Sequence, residues 1–108
     1  MANTFKNKGL ALTSTSRTDL YTCPANTAAV IHTLNIANVN GVSSGSITIE
    51  VYDTSATTYY KIGYLIPVPG GSSYFYDKPL NLEAGDKVSL TASTANYLEA
   101  FASILEIS

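Results

Sequence analysis

Gly45-Ser46-Ile47-Thr48-Ile49-Glu50-Val51-Tyr52-Asp53 alternates in polarity from Ile47 to Tyr52. A period of two residues puts Ile47, Ile49 and Val51 on one face of an extended chain and Thr48, Glu50 and Tyr52 on the other. The pattern predicts a half-buried strand, with Ile47, Ile49 and Val51 in the core and Thr48 and Glu50 outside it. Downstream, Asp53-Thr54-Ser55-Ala56-Thr57 is small and polar, and Thr58 to Ile66 is again rich in β-formers. The two runs are expected to form a hairpin through that loop.

Further out the same grammar repeats. Pro24-Ala25-Asn26 precedes a long β-rich run from Thr27 to Asn38, and Asn38-Val39-Asn40-Gly41 follows it. Counting by two within that run places Val30, His32, Leu34 and Ile36 on one side, so His32 reads as a partly buried, hydrogen-bonded side chain. Pro67, Pro69 and Gly70-Gly71 end the strand before them, and Ser73 to Tyr76 is a short strand. Leu80-Asn81-Leu82 and Lys87-Val88-Ser89-Leu90 flank a tight Glu83-Ala84-Gly85-Asp86 turn, where glycine permits φ > 0 and the aspartate side chain can accept from nearby amides. Val88 and Leu90 belong with the core set. The run from Tyr97 to Ile107 is apolar on both parities near its end, as expected of a strand covered on both faces.

No helix of normal length is visible. A chain of 108 residues suits one domain, and short strands at regular spacing predict an all-β fold: a single antiparallel β-sandwich, jelly-roll or immunoglobulin-like. Residues 10–108 form that domain. Residues 1–9, polar apart from Phe5 and carrying Lys6 and Lys8, read as an N-terminal arm, either frayed or docked on a neighbouring subunit. If it docks, removing it should leave the sandwich folded and lower its occupancy on an assembly.

Composition narrows the function. Charged residues are 13% of the chain and the net charge is −2, so there is no basic field for nucleic acid or an anionic membrane. No stretch is long and apolar enough to span a bilayer, and the first twenty residues hold no apolar run of secretory-signal length, which predicts folding without export by a cleaved signal. An exterior built from Ser, Thr, Asn and Tyr instead of charge suits subunits packed against neighbours, and predicts a homo-oligomer.

One histidine without a Gly-x-Ser-x-Gly elbow makes a hydrolytic triad improbable. Cys23, before Pro24, reads as a buried structural thiol, and with His32 alone it makes no usual metal site. Gly70-Gly71 is followed by Ser72-Ser73 and opens no phosphate-binding loop. Asp53, Asp77, Glu83, Asp86, Glu99 and Glu106 are scattered and read as solvated turn and strand acids. The expectation is a non-enzymatic chain without cofactor or metal. Tyrosine does stand out: Tyr52, Tyr59, Tyr60, Tyr64, Tyr74 and Tyr76 crowd between residues 52 and 76 with Phe75. Tyrosine gives large contact area at low entropy cost and favours protein or sugar contacts. Tyr64 reads as one that packs on a strand face. Tyr59, Tyr60, Tyr74 and Tyr76, with Phe5, Lys6 and Lys8 from the arm, are the candidate interface residues.

The ordered series Leu12-Thr13, Leu20-Tyr21-Thr22-Cys23-Pro24-Ala25, Ile36-Ala37-Asn38-Val39, Val51-Tyr52-Asp53, Ile66-Pro67-Val68 and Lys78-Pro79-Leu80-Asn81-Leu82-Glu83-Ala84-Gly85-Asp86 resembles small structural proteins of tailed bacteriophages. The resemblance implies a virion protein assembled in the host cytoplasm, with no catalytic residues to carry over. It implies a capsid decoration or cement subunit bound to the major capsid protein or another virion protein, guessed to be a trimer. The alternatives are a tail, neck or fibre component, or, in a different class, a carbohydrate-binding module using the four interface tyrosines as a stacking platform.

Overall fold

A computed structural model describes residues 2–108. Its nine strands are β1 (Asn3–Ala11), β2 (Thr18–Thr22), β3 (Ala28–Asn38), β4 (Gly45–Asp53), β5 (Thr58–Val68), β6 (Ser73–Tyr76), β7 (Leu80–Leu82), β8 (Lys87–Ala92) and β9 (Leu98–Ile107). One sheet runs β1-β9-β3, with β6 and β7 end to end along the free side of β3; the other runs β2-β8-β4-β5. All pairings are antiparallel. The two sheets pack as a β-sandwich. Apart from the β4–β5 hairpin and the β6–β7 step, each connection crosses from one sheet to the other, so few sequence neighbours are sheet neighbours.

The core lies between the sheets. Ile47, Ile49, Val88 and Leu90 are fully buried, as the alternation requires, joined by Leu20, Ile31, Leu34, Ile36, Leu98 and Ile104; Val51 is half-buried. The strand Ser73–Tyr76 and the β4–β5 hairpin stand where the sequence places them. At the corner between β7 and β8, Gly85 has φ +89°, and a Cβ there would lie 2.9 Å from Thr54 Oγ1. Asp86 Oδ1 accepts from the Thr54 amide at 3.0 Å and Oδ2 from the Glu83 amide at 2.9 Å, which ties this corner to the β4–β5 loop.

Five expectations are corrected. First, a register shift between Ile31 and Thr33 interrupts β3. Ala29 and Ile31 face the core before it and Leu34 and Ile36 after it, so Val30 turns outward and His32 is exposed. A bulge adds one residue and reverses the parity that a count by two assumes. Second, Thr48 and Glu50 are buried although they face away from the core. Long side chains cover them: Arg17 and Lys61 converge on Glu50, and Thr48 Oγ1 accepts from the Leu65 amide at 3.2 Å. Third, Tyr64 is exposed, because two register shifts in the β4–β5 pairing take this part of β5 out of simple alternation. Fourth, β9 is buried on one face only, with Glu99 and Phe101 exposed on the other. Fifth, residues 3–9 belong to β1, which pairs with β9 from Asn3↔Ile107 to Ala11↔Glu99 without a break at residue 10. Reciprocal bonds between Ala2 and Ser108, 2.7 and 3.0 Å, extend the ladder. Its sequence looks like an arm because an edge strand exposed on both faces from Asn3 to Gly9 needs no apolar alternation. Met1 lies outside the described residues.

Candidate interface on the outer faces

Register determines which side chains share the outer face of the β1-β9-β3 sheet. Phe5 pairs with Leu105, Leu105 with Val30 and Val30 with Asn81, forming one cross-strand row. Gly9, Phe101, Asn35 and Phe75 form a second in the same way. Asn7, Ser103 and Thr33 lie between them, Asn3, Ile107 and Ala28 beyond one end, and Ala11, Glu99, Ala37 and Ser73 beyond the other. Glu99 is the one charged residue in these rows.

The chain has three phenylalanines, and none is in the core. All three lie on this face: Phe5 is 80% exposed, Phe75 65% and Phe101 49%. An exposed Leu or Val is unremarkable, whereas the whole phenylalanine complement gathered on one solvent face makes this face the candidate contact surface. Beside Phe101 the small residues Gly9, Ala11 and Ala37 leave a shallow groove of about 400 Å³, whose lining includes Asn35 and, at one end, Glu99. Asn35 Oδ1 is buried and without a hydrogen-bond partner among the described residues.

The outer face of the other sheet is built differently. Glu50 accepts from Arg17 Nε at 3.0 Å and from Nη2 at 3.1 Å, with Lys61 Nζ 3.7 Å away. The Arg17 guanidinium lies 3.7 Å from the centre of the Tyr59 ring, and the Tyr59 and Tyr52 ring centres are 4.8 Å apart. Arg17 holds the Glu50 carboxyl below the usual carboxylate range, chiefly through its hydrogen bonds, against the opposing pull of burial. Asp19 accepts from the Ser89 hydroxyl at 2.7 Å and pairs with Lys87 at 3.5 Å. Its charges are therefore paired within the face.

Titratable groups also gather in the β1–β2 cleft and at the β7–β8 corner. In the cleft between β1 and β2, the Tyr21 hydroxyl donates to Glu106 at 2.5 Å and Lys6 lies 3.1 Å away. The Tyr21 bond, with help from Lys6, keeps Glu106 below its ordinary range, while burial pushes the Tyr21 hydroxyl well up. Burial likewise raises the Cys23 thiol, which donates to the Thr27 carbonyl at 3.2 Å. A thiol shifted in that direction is a poor nucleophile. Asp53, Glu83 and Asp86, scattered in sequence, bring carboxylate oxygens within 4.8 Å of one another, and Asp86 spends its oxygens on two backbone amides.

The sequence-derived candidates separate. Phe5 is on the phenylalanine face, whereas Lys6 and Lys8 line the β1–β2 cleft. Tyr59 lies over Arg17, and Tyr60 lines a groove with Ile62 and Leu80. Tyr74 and Tyr76 pair with Ile36 and Leu34 and pack on the core. These four tyrosines therefore do not form one platform. Sequence reasoning noted Phe75 only beside the tyrosine cluster and left it out of the interface set, and it missed Phe101, Leu105 and Val30, which the bulge and the apolar run of β9 conceal. A discriminating signal was present in the spacing, since Phe101 stands at odd parity against Ala100, Ala102 and Ile104.

Neither a protein family nor a curated protein sequence matches the chain. Solved structures do. A chain from the acid-stable capsid structure of Helicobacter pylori bacteriophage KHP30 is similar at TM-score 0.59 and 11% identity, over 100% of this chain and 94% of that one. A chain from Bacillus endospore appendages, which form a family of disulfide-linked pili, is similar at TM-score 0.51 and 16% identity, over 99% of this chain and 85% of that one. At these identities the likeness is one of fold.

Proposed function

We propose that the chain is a non-enzymatic, self-associating structural subunit of a bacteriophage virion, and within the virion a decoration or cement protein of the head. The observation that carries this reading is the outer face that bears Phe5, Phe75 and Phe101 and a single charge, Glu99, a surface whose exposure is costly and which a neighbouring subunit would cover. Further observations support it. The chain has a full-length likeness to a chain from a phage capsid structure, its strand order is one that we read as a jelly-roll, and titratable groups of the cleft and corner are engaged with one another or with backbone amides. A fold hosts many functions, so the site, and not the likeness alone, bears the weight.

A small, rigid sandwich suits a subunit that binds an assembled shell many times over, because weak contacts repeated on a closed lattice add by multivalency. Gold-labelled antibody on purified particles that carry this chain's gene tests the reading. Label over the head is expected. Label confined to the tail would replace decoration by a tail or neck role, and unlabelled particles would end the virion reading.

A further inference from the structure

We infer that the phenylalanine face is a two-fold interface with a second copy of this chain, in which Phe5 of each copy enters the groove beside Gly9 and Phe101 of the other. This rests on the reading of the chain as a self-associating subunit and names the surface that does it. It takes a two-fold pair, in place of the trimer guessed from resemblance, as the unit of assembly.

Register supplies the geometry. The outward rows are centred on Asn7, Ser103 and Thr33, with the Phe5 row on one side and the Gly9 row on the other. A two-fold axis in the plane of the face, across the strands and through that central row, carries each row onto its counterpart in the second copy. Phe5, the most exposed of the three phenylalanines, then lies over the strand position of Gly9, where the absent side chain leaves the groove of about 400 Å³. The contact occurs twice, as a self-complementary interface requires.

Area and charge agree with a second copy. At ordinary strand spacing the face is about 19 Å by about 30 Å, so a pair covers ~1,200 Å² in plan, the lower edge of what specific stable interfaces bury. Its single charge, Glu99, falls in an end row. Across the proposed axis the two Glu99 side chains are about 26 Å apart along the strands, beyond the ~8 Å screening length of physiological salt. An axis along the strands would instead bring them within about 11 Å, given ~10 Å between packed sheets.

Sedimentation equilibrium of the full chain, with Phe5→Ala and Asn7→Cys variants, tests the inference. Phe5 stands out from the sheet and Asn7 is exposed, so both variants keep the fold, which circular dichroism verifies. The expected results are a dimer for the natural chain and association weakened about tenfold or more by Phe5→Ala, the behaviour of an interface anchor. A short bis-maleimide should link Asn7→Cys chains in pairs, because that position lies on the axis; Cys23 is buried and free. A monomer, a trimer, or a dimer indifferent to Phe5→Ala would overturn the inference, as would recovery of the chain on phosphatidylcholine vesicles with no dimer in solution. A dimer absent from particles would leave this interface standing and end the virion reading; a monomer that decorates heads would do the reverse.

Discussion

The two outer faces of this sandwich share one core and one chain, yet they solve solvent exposure in opposite ways. On the β2-β8-β4-β5 face, Glu50 is buried beneath Arg17 and Lys61, Asp19 is paired with Lys87, and Tyr59 is covered by a guanidinium. Long amphipathic side chains lay their stems over the sheet and keep their charges in water. On the β1-β9-β3 face there is one charge, and phenylalanine projects unshielded. The first arrangement pairs its charges within the chain, although Tyr64 and Leu65 at its β5 edge stay exposed. The second leaves its aromatic side chains open to solvent, which is why the proposed assembly surface is put on that side of the molecule.

Removing residues 2–9 breaks the comparison most severely. It strips β1 from β9 and exposes a 10-residue strand edge, so cooperative thermal unfolding should be lost or the protein should aggregate. A truncated chain that melts like the intact one would return this segment to the status of an arm. Next, Ile49→Ala empties a fully buried site beneath Glu50 and should cost about 2–5 kcal/mol in urea unfolding. An unchanged midpoint would show that the core does not support both faces.

The two buried glutamates predict pH dependence. Glu50 and Glu106 are both lowered below their ordinary range. Between folded and unfolded values the unfolded carboxylates bind more protons, so stability rises with pH there. The contribution is complete above the unfolded Glu value of about 4.3 and is lost as pH falls through the folded values. Melting temperature should therefore fall between pH 5 and 3, on the order of the shift those carboxylates carry, and Arg17→Gln should flatten the Glu50 share of that slope. A slope unaltered by Arg17→Gln would show the ion pair to be idle. The smallest effect belongs to the other face: Phe5→Ala should change the stability of the dissociated chain by no more than about 0.5 kcal/mol, as for a surface site, measured at low concentration by chemical unfolding. A large loss would make Phe5 part of the fold and not of an interface.

The alternation from Ile47 to Val51, the polar loop after Asp53, the prolines after Ile66 and the Gly85 turn were enough to determine from sequence an all-β sandwich with Ile47, Ile49, Val88 and Leu90 inside, because these signals depend on residues two to five apart. A single buried thiol at Cys23 was legible too, from its type and place. Only the tertiary structure decided which faces meet solvent and how. The bulge near His32 reverses parity for the first part of β3, Arg17 reaches Glu50 across 33 positions, and Phe5, Phe75 and Phe101 become neighbours on one face through pairings of strands far apart in sequence. Local chemistry records whether a residue suits a strand; the crossing of strands between two sheets determines which residues stand side by side, and no window along the chain contains that information.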